Sequence, residues 1–231
     1  MKCPMEHKVR PELPPLTQRI AALPVDERGY PVPFFVQWLD AENNAAEDNA
    51  PGARPEFRMM NGQKFVLCYR RKLCWVCGQP RGEKATFVIG AMCAINRTSS
   101  EMPCHYECAE WSVKGCPFLS RPNMVRREDD LIRSNKENTA GIAIERNPGV
   151  SLLWTSRNFR PFKAHNNGGY LMNVGHPINV SWWREGRAAT REEIMESIDS
   201  GIPQLRELCV TASDHADLIK RYQWLINNLL P

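Results

Sequence analysis

The sequence lacks any long apolar run. No stretch of its 231 residues approaches the roughly 20 consecutive apolar residues that a membrane-spanning helix needs, so we exclude an integral membrane protein. The opening segment, MKCPMEHKVRPELPP, has no apolar core of the kind found in signal peptides, so we expect no export. We therefore expect a cytoplasmic protein, whose cysteines stay free or bind metal in a reducing environment.

Familiar catalytic motifs are also missing. The sequence contains no glycine-rich phosphate loop, no Gly-x-Ser-x-Gly turn and no His-Glu-x-x-His motif. These absences remove the common sites for nucleotide hydrolysis, serine hydrolysis and zinc proteolysis from consideration. The net charge of +4 is too small to indicate nucleic acid by itself.

Cysteine, in contrast, is abundant. Six of the nine cysteines fall between Cys74 and Cys116, and two pairs share a two-residue spacer, Cys74 with Cys77 and His105 with Cys108. A Cys-x-x-Cys-Gly turn bends tightly enough for both thiolates to reach one ion. Residues i and i+3 of a helix share a face, so the second pair can reach the same ion. We therefore predict a metal site, with zinc as the ion.

The same cluster offers three further cysteines as alternative or additional ligands: Cys93, Cys104 and Cys116. This surplus leaves a four-cysteine iron–sulfur cluster open. We favour zinc because the spacing of the two pairs is typical of it and no compact Cys-x-x-Cys-x-x-Cys run is present. Since four protein ligands leave no position for substrate, we expect the ion to stabilise the fold. Cys68 and Cys209, each alone in an apolar run, are predicted to be core thiols.

The segment 74–116 resembles a treble-clef zinc finger. We predict its three parts as a knuckle, a β-hairpin over residues 85–96, and a helix that begins after Pro103 and carries the second ligand pair. Some HNH nucleases share this scaffold, and that resemblance implies a histidine on the hairpin as general base. No histidine lies between Cys77 and His105, so we expect the nuclease centre to be missing or moved.

The complete chain is similar to proteins of bacteria and their phages or mobile elements. The similarity rests on the front segment LPVDERGYPVP at residues 23–33 and on the CPFL segment at residues 116–119. It implies no activity.

We predict an α+β fold in which this treble-clef-like site is embedded in a larger structure. Residues 1–56 form a proline-rich extended arm, with one helical turn near residues 17–22, a strand at residues 34–39 and a mobile polar loop from residue 41. Residues 57–120 hold a hairpin at Asn61-Gly62, followed by the metal-binding module. A helix that starts near Gln63 is the alternative to the second arm of this hairpin.

Residues 121–231 are predicted to combine an antiparallel meander with C-terminal helices, after an irregular charged stretch. The β-like runs are 142–144, 150–154, 170–174 and 178–183. Thr190 and Glu193 fit a capping box, Gly201 suits a helix end, and Pro203 can open a second short helix. The last helix carries one apolar stripe that we interpret as core packing: Leu218, Ile219, Tyr222, Leu225, Ile226 and Leu229.

Positive charge concentrates around the cysteines, since residues 63–100 carry seven basic side chains and one acidic side chain. An exposed aromatic ring among basic residues can stack on bases while the cations hold phosphates. The candidates for this role are Arg70, Arg71, Lys72, Trp75 and Arg81. Core packing is the alternative for the tryptophan. Our first hypothesis is a zinc-stabilised nucleic-acid-binding accessory protein with DNA or RNA as its partner.

Two other functions stay open. The first is an enzyme that acts on nucleic acid or nucleotides, with a site in residues 157–187 built from His165, His176 and Arg184. The second is an inhibitor or adaptor that binds a protein partner through the proline-rich arm or the last helix.

Overall fold

The computed structural model describes residues 8–121, 147, 149–164 and 169–231. The helices within them are α1 (Gln18–Ala21), α2 (Gly62–Arg71), α3 (Ala91–Asn96), α4 (Tyr106–Gly115), α5 (Pro117–Ser120), α6 (Arg191–Glu207) and α7 (Ala212–Leu229). The strands are β1 (Val36–Leu39), β2 (Ala45–Ala46), β3 (Arg54–Met60), β4 (Ala85–Ile89), β5 (Thr98–Ser99), β6 (Ser151–Ser156), β7 (Arg160–Lys163), β8 (Tyr170–Asn173), β9 (Pro177–Arg184) and β10 (Arg187–Ala188). None of these helices is both long and apolar enough to cross a membrane.

The strands of the described residues form three antiparallel sheets, with orders β2-β1-β3, β10-β9-β6-β4 and β5-β8-β7. Helix α4 packs on β4 and β6, and α3 packs on α6 and α7. The helices and the antiparallel sheets therefore pack on each other. The predicted α+β class, with antiparallel sheets and C-terminal helices, is confirmed.

Strand β6 organises the central sheet. Its neighbouring residues Leu152 and Leu153 point to opposite faces, and both are fully buried. A strand covered on both faces belongs in the middle of a sheet, and β6 indeed lies between β4 and β9. The pairing therefore differs from a simple meander, because the β7–β8 hairpin leaves this sheet and joins β5 instead. The predicted strand at 142–144 and most of the charged stretch before it lie outside the described residues.

The hairpin predicted at Asn61-Gly62 is wrong, and the alternative helix is correct. The Asn61 side chain accepts a hydrogen bond from the Lys64 amide at 3.0 Å and caps α2. Asparagine is a strong N-cap because its oxygen satisfies an amide that the first helical turn leaves free. Asparagine thus favours both a type I′ turn and a helix start, and in this chain Asn61 starts a helix.

The second predicted hairpin, over residues 85–96, is also wrong in its second arm. Strand β4 forms as expected, but it pairs with β6, and Gly90 then begins helix α3. Ala91, Ala94 and Ile95 are all buried, which is the i, i+3, i+4 spacing of a helix face. Burial of this face against α6 and α7 explains why the segment turns helical.

Helix α6 continues where the sequence predicted a break. Gly201 and Pro203 both lie inside it rather than at an end and a start. A Cβ atom on Gly201 would lie 2.7 Å from the Met92 side chain, so glycine lets α6 approach α3 closely. The predicted capping box is confirmed, with Thr190 accepting from the Glu193 amide and the Glu193 carboxylate accepting from the Thr190 amide at 2.9 Å.

The remaining predicted elements are mostly confirmed. Thr17 caps α1, whose Ile20 is fully buried, and β1 occupies the predicted strand. The predicted polar loop contains the short strand β2 and the start of β3. In the last helix Leu218, Leu225 and Leu229 are buried, whereas Ile219 is 53% exposed and lies outside the core face. The division of the chain into three parts stays a prediction.

The capping box of α6 makes stability depend on pH. Hydrogen bonds from Arg187 and the Thr190 amide lower the pKa of Glu193 to about 2, against about 4.3 in an unfolded chain. The contribution of this carboxylate is therefore complete above about pH 4.3 and is lost as the pH falls towards 2. We expect Glu193→Gln to lower the free energy of unfolding by about 0.5 kcal/mol at pH 7, and by less at about pH 2.5.

Urea unfolding at both pH values measures this difference. Glu42→Gln, at an exposed loop position, is the control and should show no such pH dependence. An equal loss of stability for Glu193→Gln at both pH values would contradict the assignment.

Candidate metal centre

The first ligand pair lies in a tight knuckle that follows α2. The Cys74 amide donates to the Gln79 carbonyl at 2.8 Å, and the Gly78 amide donates to the Cys74 carbonyl at 2.9 Å. Gly78 has a φ of +70°, which glycine adopts without strain. A Cβ atom here would also lie 2.8 Å from the Phe34 ring. The glycine that follows Cys77 is therefore required both by its backbone conformation and by its packing.

The second pair lies at the start of α4. His105 is the N-cap residue, and Cys108 lies one turn inside the helix. The His105 amide donates to Cys74 Sγ at 3.4 Å, and the Cys77 amide donates to the same sulfur at 3.4 Å. One sulfur atom thus joins the knuckle to the helix start.

These elements bring the four predicted ligands together. The ligand atoms of Cys74, Cys77, His105 and Cys108 all lie within 4.8 Å of one another. His105 Nδ1 lies 3.4 Å from Cys77 Sγ and 3.7 Å from Cys108 Sγ. Tetrahedral zinc, with Zn–S near 2.3 Å and Zn–N near 2.0 Å, places its ligand atoms roughly 3.5–3.8 Å apart. The cluster could therefore hold one metal ion such as zinc.

The orientation of His105 also fits a ligand. Its Nε2 lies 3.0 Å from the Pro80 carbonyl, and a carbonyl can only accept, so Nε2 carries the proton. Nδ1 then presents its lone pair towards the three sulfurs. Metal-binding histidines commonly have their second nitrogen fixed in this way. Sequence reasoning missed the role of Pro80, because the contact uses a backbone oxygen that no motif records.

Arg19 is a second neighbour that sequence reasoning missed. Its guanidinium donates to Glu107 at 2.6 Å and to the Gln79 side chain. The hydrogen bond to Glu107 raises the pKa of Arg19, and the nearby Cys77 and Cys108 sulfurs add to that rise. Helix α1 of the N-terminal arm therefore contacts both the knuckle and α4, and it places a positive charge beside the sulfur cluster.

The sulfurs perturb one another strongly. Burial raises the pKa of Cys74, but hydrogen bonds from the Cys104, Cys108 and Cys77 thiols outweigh burial and lower it. The pKa values of Cys77 and Cys108 are raised, and both rises include a contribution from the neighbouring Cys74 sulfur. The geometry thus favours one thiolate among thiols. A divalent cation would have to displace protons from the other two cysteines, so its binding would strengthen with rising pH.

The three surplus cysteines lie outside the four-residue cluster. Cys104 is buried and donates to the Thr86 carbonyl at 3.2 Å, and its thiol lies close enough to the Cys74 sulfur to lower the pKa of Cys74. Cys93 lies in α3, and burial raises its pKa to about 11. Cys116 follows the far end of α4. Cys104 therefore acts as a neighbour of a candidate ligand rather than as a fifth ligand.

The predicted core thiols differ from each other. Cys68 is buried in α2, and burial raises its pKa to about 12, as expected for an inert thiol. Cys209 is only partly buried, and its Sγ donates to the Leu205 carbonyl at 3.4 Å.

The structure corrects two of the nucleic-acid candidates. Trp75 is only 2% exposed and stacks on Phe35 at 5.2 Å, with Phe65 edge-on at 5.8 Å. It is a core residue and has no free ring face for a base. Arg81 is also buried, donates to the Lys84 carbonyl at 2.6 Å and covers the Phe159 ring.

The other three nucleic-acid candidates are accessible. Arg70, Arg71 and Lys72 are exposed at the C-terminal end of α2. No ion pair engages them within the described ranges.

The described enzyme candidates do not converge. His176 is exposed just before β9, and Arg184 ends that strand, about 26 Å away along an extended chain. The Arg184 guanidinium is engaged by Glu196 at 2.9 Å and by Glu193 at 3.6 Å. His165 lies outside the described residues. The structure therefore does not bring His176 and Arg184 into one site.

Comparison with known proteins gives no further identification. No protein-family model, no curated protein and no solved structure matches this chain.

Proposed function

We propose that Cys74, Cys77, His105 and Cys108 bind one zinc ion that stabilises the fold. The observation that carries this proposal is the convergence of three sulfurs and an oriented imidazole nitrogen at tetrahedral spacing. Four protein ligands fill a tetrahedral site, so no position is left for substrate or reactive water. The ion would link the knuckle to α4 and close the loop that carries β4 and α3.

A single ion fits the distances better than an iron–sulfur cluster does. Separations of 3.4 and 3.7 Å between the imidazole nitrogen and two sulfurs match ligands that share one metal. In a four-iron cluster each protein ligand binds a different iron, and in a two-iron cluster the ligands divide into two pairs on separate irons. Either arrangement would hold some of the four ligand atoms further apart than the 4.8 Å found here.

Metal analysis of the purified full-length chain tests this site. We expect about one zinc per chain and no visible absorption. Cys74→Ser and Cys108→Ser should lose the zinc on dialysis against a chelator, and thermal unfolding should shift to lower temperature because metal binding contributes to folding. Cobalt exchanged into the wild-type site should give the intense visible bands of tetrahedral thiolate coordination.

The matched control is Cys209→Ser, at a cysteine whose thiol only donates to a carbonyl. It should retain the zinc. The proposal is overturned if the wild-type chain binds no zinc on titration, or if it shows a broad visible absorption that a reductant bleaches.

We also propose that the chain binds nucleic acid through a basic face, defined as Arg70, Arg71, Lys72, Arg157 and Arg160. Contact between Tyr69 and Phe159, at a ring separation of 6.4 Å, brings the end of α2 against the segment that carries the two later arginines. All five cations are exposed, and none has an ion pair among the residues that the structure describes. Unpaired cations on one face form the electrostatic footprint of phosphate binding.

Tyr69 supplies the aromatic ring that Trp75 cannot. Its side chain is 45% exposed and immediately precedes Arg70. An exposed ring beside cations can stack on an unpaired base. This arrangement favours single-stranded over double-stranded nucleic acid.

The salt dependence of nucleic-acid binding distinguishes phosphate contacts of the basic face from an effect of the net charge of the chain. We expect the triple variant Arg70→Gln, Arg71→Gln, Lys72→Gln to weaken binding of a single-stranded oligonucleotide. The slope of log affinity against log salt should fall by about 2, because each lost phosphate contact in a single strand removes about 0.7. Fluorescence anisotropy at several salt concentrations measures both quantities.

The control variant replaces three other exposed cations, Arg191, Arg206 and Lys220, with glutamine, and it changes the net charge equally. It should leave the slope near the wild-type value. Absence of binding by the wild-type chain at low salt, or equal slopes for the two triple variants, would refute the basic face.

A further inference from the structure

Arg97 and His176 contact the ring of Trp224, and Arg221 lies on the same helix as that tryptophan. The Arg97 guanidinium carbon lies 4.1 Å from the centroid of the indole ring. The His176 ring approaches the same indole edge-on at 6.4 Å. Arg221 lies three residues before Trp224 on α7 and therefore shares its helix face. The end of α3, the turn before β9 and the middle of α7 thus meet at one place.

The described residues place no counter-ion beside the two arginines of this group. No ion pair within the described ranges involves Arg97, Arg221 or His176. Asp217, one turn before Arg221, pairs with Lys220 at 3.7 Å instead. The Nε atoms of both arginines are buried and have no hydrogen-bond partner in the described part of the chain.

The backbone holds the group in place. Arg97 adopts a left-handed conformation with a φ of +53°, and its amide donates to the Ala94 carbonyl at 3.2 Å. The Arg97 carbonyl accepts from the Val174 amide at 3.0 Å, two residues before His176. Trp224 packs against Trp154, and the centroids of the two rings lie 6.3 Å apart. Arg97 and the turn that carries His176 are therefore positioned before any ligand arrives.

Two neighbouring guanidinium groups without a counter-ion are unfavourable. Burial lowers the pKa of Arg97, and the charge of Arg221 lowers it further, so the two groups are close enough to repel. An anion with several acceptor oxygens would remove this repulsion. Phosphate offers such oxygens, and guanidinium groups bind it through paired hydrogen bonds.

We propose that Arg97, Arg221 and His176 form a binding site for a phosphate group. The two guanidinium groups bind its oxygens, and the exposed imidazole donates from the open side. Trp224 supports Arg97 rather than stacking on a base, because the guanidinium already covers its ring.

This proposal does not depend on the basic face. The β5-β8-β7 register does place Arg160 and Thr98 on either side of Asn173, roughly 10 Å apart, so one strand of nucleic acid could reach both sites.

The test uses the zinc-loaded, full-length chain and inorganic phosphate. Correlation spectra of the arginine Nε–H groups report on the surroundings of the two guanidinium groups. We expect the Arg97 and Arg221 resonances to shift together and to saturate below about 20 mM phosphate, a weak affinity of the kind a small ion reaches. Sodium chloride at equal ionic strength should not reproduce the shifts.

Variants assign the site. Arg97→Gln and Arg221→Gln should each weaken phosphate binding by about tenfold or more, as expected for loss of a charge-assisted hydrogen bond. Arg97→Lys keeps the charge and should retain part of the affinity. Arg184→Gln, at an arginine already paired with Glu196, is the control and should bind phosphate normally.

The source of the phosphate is distinguished by two further probes. Adenosine monophosphate carries a terminal monoester, whereas the dinucleoside ApA carries only an internal diester. Tighter binding of the monophosphate supports a nucleotide or strand end as ligand, and comparable binding of both supports the backbone of a nucleic acid. The site is overturned if phosphate leaves both Nε–H resonances unmoved at about 20 mM, or if neither glutamine variant weakens its binding.

Discussion

The structure around the cysteine cluster depends on one atom, the sulfur of Cys74. Two backbone amides donate to it, one from Cys77 in the knuckle and one from His105 at the helix start. Amide donors stabilise negative charge on sulfur, so the backbone of both ligand segments is already arranged around a thiolate. This shared acceptor joins the knuckle to the start of α4, the helix that carries Cys108. The contact of Arg19 with Glu107 then attaches the N-terminal arm to the same assembly.

Aromatic packing makes the knuckle part of the core. Trp75 lies between the two knuckle cysteines in sequence, and its burial against Phe35 and Phe65 fastens the turn to the entry of β1 and to α2. Because of this packing, Trp75 is buried in the core and the candidate ligands of the knuckle are partly or fully buried. The knuckle itself therefore offers no exposed tryptophan to nucleic acid, and the exposed arginines lie beside it, where α2 ends. This is why the proposed basic face borders the metal centre without including it.

The parts of the site that could be predicted from the sequence are those that local spacing determines. The two ligand pairs and the capping box at Thr190 each depend on residues three apart, and the structure brings them together. The errors arose where tertiary packing decided between local options. Asn61 suits a turn and a helix cap equally, and Gly201 suits a helix end and a close helix contact. The group formed by Arg97 and Arg221 had no sequence signal, because its members come from elements more than 100 residues apart.

The cationic surfaces of this chain differ in whether their arginines form ion pairs with carboxylates, and not in how many basic residues they contain. Arg184 and Arg187 stand in the region where the sequence suggested an active site, but Glu193 and Glu196 neutralise them. An arginine that already forms an ion pair with a carboxylate gains little binding free energy from a second anion. The arginines at the end of α2 and around Trp224 form no ion pair with the residues that the structure describes. A phosphate bound there would displace only water and counterions, which is why both proposed sites lie at these arginines and not at the paired ones.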